Sequence, residues 1–203
     1  EHVMSMRMIP NLEVFRPCDV IETAECWALA LDNADTPSVL ALTRQNLPQL
    51  RTDAAENRTA RGAYRLQGDG HGTVCIVATG SEVEIAVTVA EQLKAKGVAA
   101  DVVSMPSWSR FMAQAAAYRN DVIPQGVLRV SIEAGTTFGW EAITGPDGLR
   151  FGIDRFAGLA HYAFLATDPR FWSALRVTAV FTVASVGLEL LLGLGVALAL
   201  RGQ

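Results

Sequence analysis

PSVLALTRQNLPQL, residues 37–50, is the stretch whose reading decides the fold. It opens on a continuous apolar run, Val39-Leu40-Ala41-Leu42, too short for a helix. Such a run reads as a strand buried on both faces, as in a parallel sheet. It stops at a polar cluster, Thr43-Arg44-Gln45-Asn46, with Pro48 following. In open α/β sheets ligands bind beyond the carboxyl ends of the strands. Arg44 stands at that point, and its guanidinium is a fork of fixed charge suited to phosphate or carboxylate. On pattern alone it is either half of a surface salt bridge or an anion ligand.

Outward from this stretch the chain reads as α/β. Upstream, NLEVFR (residues 11–16) is a short strand ended by Pro17. Asp19 and Glu22 have capping-box spacing, and Val20, Ala24, Trp27, Ala28 and Leu31 recur on one apolar helical face. The unit is strand–helix–strand, most simply a right-handed parallel crossover. Downstream, residues 52–65 are polar with little periodicity and read as an interdomain linker, followed by the turn cluster GDGHG, residues 68–72, with His71 solvated.

A second α/β unit follows, with strands expected over 74–78, 98–104 and 127–132. Its first helix carries a second capping-box pattern, Ser81 with Glu84. Val83, Ala86, Val87, Ala90 and Leu93 form the inner face, and Gly97 stands at the C-cap. Residues 108–118 read as helix, and 135–152 as loop with a short helix near Trp140. VATGSE, residues 77–82, is either an anion cradle or a plain capped helix start; it lacks the further glycines of a dinucleotide fingerprint and the lysine of a P-loop.

Composition sets limits. The chain has 203 residues, half of them hydrophobic and 19% charged, at net −4. From residue 158 onward the charged residues are Asp168, Arg170, Arg176, Glu189 and Arg201, net +1, which leaves −5 for the remainder. Neither part is basic enough for a nucleic-acid surface. Cys18, Cys26 and Cys75 have no metal spacing and read as buried thiols of a reducing compartment.

Four segments together, IPNLEVFRPCD (9–19), LALTRQNLPQLR (40–51), IVATGSEVEIAV (76–87) and FGIDRF (151–156), resemble the transketolase family in wording, order and spacing. The resemblance implies the end of a thiamine-diphosphate-type pyrimidine domain at 1–51, a linker at 52–66 and a C-terminal α/β domain at 67–157. It implies an enzyme that moves a two-carbon ketol unit between sugar phosphates, in the pentose phosphate pathway, with thiamine diphosphate and a divalent metal such as Mg²⁺. It further implies a homodimer, a cytoplasmic setting, and binding of the sugar phosphate by Arg44. The family's GEDGPTHQP stretch and its cofactor and metal motifs would precede Glu1. The chain is therefore expected to be a fragment that binds no cofactor and is inactive alone, with no catalytic or metal residue to name. Ala142-Ile143 departs from the family's wording after FGWE.

Residues 158–203 read differently. GLAHY, DPRFWSAL and VFTVASVGLELLLG are similar to the membrane core of a binding-protein-dependent ABC sugar transporter permease. Residues 177–200 form a long apolar run of 24 residues with one charge, Glu189. At about 1.5 Å per residue it would reach roughly 36 Å, enough for a span, with Glu189 costing about 2.5–3.5 kcal/mol at mid-membrane. Thr178, Thr182, Ser185, Glu189 and Gly193 share one stripe. The expectation is one transmembrane helix and membrane association through the tail; the other readings are a buried soluble helix or an artificial join with no integrated function.

Overall fold

The computed structural model describes residues 2–153, 167 and 169–201. It divides into two compact units, Glu1–Asp154 and Arg155–Gln203.

The first unit begins with α1 (His2–Arg7), β1 (Glu13–Phe15), α2 (Val20–Asp32) and β2 (Ser38–Leu40). β1 and β2 pair in parallel, with Val14 opposite Val39. The parallel strand–helix–strand unit forms as expected, but its strand is shorter and less buried than the apolar run suggested. β2 covers three half-buried residues, and Leu42 is exposed. The reason is that β2 pairs with β1 alone in a two-stranded sheet, so one edge of it has no neighbouring strand.

A 3-10 turn (Arg58–Arg61) leads to β3 (Tyr64–Gln67), β4 (Val74–Ala78), α3 (Glu82–Ala95) and β5 (Ala100–Ser104). Then come α4 (Trp108–Met112), α5 (Ala116–Val122), β6 (Leu128–Ile132), α6 (Glu141–Thr144) and β7 (Leu149–Phe151). The sheet order is β3-β5-β4-β6-β7, parallel except for the antiparallel edge strand β3. Side chains alternate across β4. Cys75 and Val77 join Val103, Phe111, Ile123 and Trp140 on one face, while Ile76 and Ala78 join Val83, Ala86, Ala90 and Val102 on the other. Met4 lies in the first cluster and Cys18 in the second, so the N-terminal segment packs into both.

Several expectations need correction. The apolar face of α2 points outward: Val20, Ala24, Trp27, Ala28 and Leu31 are all exposed, and Glu22, Glu25 and Cys26 are buried. The two carboxylates face inward because hydroxyl, amide and guanidinium donors await them there. Ser81 does not cap α3 through its side chain but donates to the carboxylate of Glu82 at 2.6 Å. At the other end Gly97 takes the expected left-handed conformation, φ +78°. The helix over 108–118 is broken into α4 and α5. Within segment 52–66 Thr59 and Ala63 are fully buried, and its end enters β3. β7 forms inside the stretch expected to be loop.

In the second unit, α7 (Pro169–Arg201) is a 33-residue helix. Among the described residues no helix is long and apolar enough to cross a membrane, so the span expected over 177–200 is not found. Glu189 is exposed, as are Val177, Phe181, Val183 and Leu190. The side chains at 179, 184, 188, 191–193 and 195–200 lie outside the described residues, and so does that part of the expectation.

Candidate functional site

Arg44 follows β2 by four residues, on the side of the strand's carboxyl end, and is exposed. The polar segment after the strand has no ladder to continue, so Thr43 turns the chain by accepting from the Gln45 amide at 3.2 Å. Arg44 lines a cavity of about 320 Å³ together with Val3, Arg16, Thr43, Gly80 and Ser81. None of the ion pairs among the described residues involves it. The surface-salt-bridge reading of this arginine therefore has no partner acid among the described residues.

The cavity reaches Gly80 and Ser81 at the carboxyl end of β4, beside the crevice between β4 and β6. Connections leave β4 and β6 towards opposite edges of the sheet there, which is the usual ligand position in such folds. Here the chain fills it with its own cations. Arg16, just past β1, extends over Gly80, where an added Cβ would lie 2.8 Å from the arginine Cγ. Its Nη1 meets Glu82 at 2.5 Å and Glu133 at 3.4 Å, and donates to Thr79 Oγ1 at 2.7 Å. Arg7 grips both oxygens of Glu133 at 2.8 Å, and Thr79 and the Trp140 indole complete that carboxylate's shell. Burial alone would raise the Glu133 pKa, but the bonds and charge of Arg7, with Thr79 and Arg16, hold it below the usual value. The VATGSE turn is thus a socket for a guanidinium and not an anion cradle.

A second polar cluster joins α2 to the larger sheet. Glu22, fully buried, accepts from Tyr64 at 2.7 Å, Ser104 at 2.5 Å and the Cys18 amide at 2.7 Å. Burial dominates, and the Glu22 pKa is raised despite these donors. Glu25 takes Arg51 at 2.8 Å and Thr59 at 2.7 Å; burial opposes its charge, yet these partners hold its pKa down. Glu13 collects Ser107 and Arg110 in the same manner. Burial pushes all three thiols up, Cys75 to about 12, so none is a ready nucleophile.

The donor set does not fit a metal–diphosphate group. Among the described residues no three His, Cys, Asp or Glu side chains are placed to hold a metal ion. Both oxygens of the buried Glu22 and Glu133, and Oε2 of Glu25, are committed to donors from the protein. What faces the open cavity is a guanidinium. Sequence reasoning located Arg44 and missed the Arg7–Arg16–Glu82–Glu133 cluster. The available signal was that Thr79 and Glu133 each follow the last residue of a parallel strand, Ala78 and Ile132.

Comparison with known proteins agrees with this architecture. A family model described as the transketolase-like TK C-terminal domain matches residues 62–167. One described as the transketolase pyrimidine binding domain matches residues 1–49. A transketolase of Sinorhizobium medicae is 52% identical over 163 residues, 79% of this chain and 23% of the relative. A transketolase of Cereibacter sphaeroides is 44% identical over 186 residues, 91% of this chain and 27% of the relative. The solved structure of the transketolase from Leishmania mexicana superposes with a TM-score of 0.69 at 40% identity, covering 76% of this chain and 22% of that one. The chain spans about a quarter of the length of the curated relatives it matches. The similarity also runs past residue 157, into the segment expected to be permease-like, and the joined-protein reading has no support from these matches.

Proposed function

The chain belongs to the transketolase family, and from that premise we propose that it serves the transfer of a two-carbon ketol unit between sugar phosphates by holding the substrate phosphate through Arg44. The observation that carries this is an exposed guanidinium without an acid partner among the described residues, beside a strand's carboxyl end and lining a 320 Å³ cavity. A guanidinium fork binds phosphate bidentately and fixes the direction of the sugar chain behind it. Arg44 is thus a positioning group: it places the reacting carbonyl and takes no part in bond making.

In this reading the pyrimidine-domain segment is 1–51, the join is 52–66, and the C-terminal domain starts at 67 and includes 157. Thiamine diphosphate, with its divalent metal, supplies the carbanion chemistry when bound, held by parts of a cytoplasmic homodimer other than the residues described above. The chain's own polar clusters keep the pyrimidine segment and the C-terminal sheet in register, which sets the height of Arg44 over the cavity.

The test uses the enzyme that contains this chain. Arg44→Gln should raise KM for phosphorylated sugars about ten- to a hundred-fold, as expected for a charged hydrogen bond of about 1.5–3 kcal/mol, and should leave unphosphorylated acceptors nearly unchanged. An equal rise for both substrate classes would remove Arg44 from phosphate recognition.

A further inference from the structure

We propose a second anion site at the opposite end of the larger sheet, in a cavity of about 210 Å³ between α5, the loop before β6, and α6, binding a phosphate group, free or as a small monoester. Arg119 on α5 and Arg129 near the amino end of β6 both line this cavity, with Asn120 and Gln125 beside them and Phe111 and Ile143 among its apolar lining.

The two guanidiniums are held without being neutralised. Arg129 donates from Nε and Nη2 to the Pro124 carbonyl at 3.0 and 2.9 Å, and from Nη1 to the Ile143 carbonyl at 3.3 Å. Arg119 donates from Nη1 to the Met112 carbonyl at 2.8 Å. Carbonyls orient a guanidinium but bring no countercharge. No lining residue is acidic, and neither arginine takes part in an ion pair among the described residues. The acids adjacent in sequence stand outside the lining: Glu141 lies 3.8 Å from Arg150, and Asp121 is exposed.

Elsewhere the structural arginines Arg7, Arg16, Arg51 and Arg110 each have a glutamate. Arg119 and Arg129 depart from that rule at a shared cavity. A guanidinium has five N–H donors, so most of Arg119's and two of Arg129's remain for a ligand. The Asn120 carbonyl accepts from Gln125 at 3.0 Å, which leaves the Asn120 amide group to donate. The open fork of Arg119, the two remaining donors of Arg129 and an amide donor suit a tetrahedral dianion, and the volume admits a phosphate with a short organic group but not a nucleotide.

The experiment is titration of the full chain with inorganic phosphate, and separately with glycerol phosphate, by calorimetry at low ionic strength. Wild type and Arg44→Gln should bind at this site alike, which separates it from the Arg44 cavity. Arg119→Gln should weaken binding at least ten-fold. Arg119 is half-buried and makes one bond, so this variant keeps the fold; Arg129→Lys, which retains the charge but loses the fork, should weaken it less. Preference for the monoester over inorganic phosphate identifies an organic ligand, and the reverse identifies free phosphate. Absence of saturable binding, or binding untouched by Arg119→Gln, overturns the proposal and leaves both arginines as staples for the loop carbonyls.

Discussion

Replacing Glu133 by Gln tests whether the pyrimidine segment is held to the C-terminal sheet by charge. The side chains of Arg7 and Glu133 are 9% and 3% exposed, and Glu133 closes two 2.8 Å bonds with that arginine. The amide keeps one acceptor for Thr79 or Trp140 but turns an NH₂ towards Arg7, leaving a buried cation without its partner. Breaking a buried pair from one side costs about 3–5 kcal/mol. With a urea dependence of about 2 kcal/mol per molar, the midpoint should fall by roughly 1.5–2.5 M. Trp140, 1% exposed and bonded through its indole to Glu133 at 3.0 Å, reports the change by fluorescence. The pH dependence adds a second reading. Since the folded pKa of Glu133 is depressed, its stabilisation is complete above the ordinary value of 4.5 and is lost as pH falls through the lower folded value. The gap between wild type and variant should therefore narrow below pH 4.5. A loss under about 1 kcal/mol at pH 7, or a gap independent of pH, would refute the argument and make the contact a solvated one.

Glu22→Gln should act with the opposite sign. Burial raises the folded pKa of Glu22, so its contribution is full below the ordinary value of 4.5 and is lost as pH rises through the folded value; urea midpoints should fall towards high pH in wild type and fall less in Glu22→Gln, and parallel profiles would contradict this. Gly68→Ala should destabilise by about 1–3 kcal/mol, because Gly68 has φ +100° and an added Cβ would lie 2.0 Å from Asp101 Oδ1. That clash would disturb the pocket in which the Gly70 and Gly72 amides hold the Asp101 carboxylate at 3.0 Å; a thermal midpoint unchanged within a degree would count against it.

The residues by themselves determined the α/β class, the parallel pairing of β1 with β2, the strands β4, β5 and β6, the inner face of α3 and the exposed position of Arg44. Each of these rests on local information: an apolar run, a 3.6-residue period, a turn residue at a fixed offset. Tertiary structure decided what depends on a partner far along the chain. The face of α2 was misread because Trp27 and Leu31 look like core until Tyr64, Ser104, Thr59 and Arg51 are seen supplying donors to Glu22 and Glu25. The apolar run at 39–42 looked doubly buried because a run shows its own polarity and not how many strands flank it. The crevice over Gly80 looked open to anions because nothing within six residues of it indicates that Arg16, 63 positions from Thr79, comes to fill it. Hydrophobic periodicity is written along one element; the pairing of a buried charge is a property of two, and only folding brings the second one near.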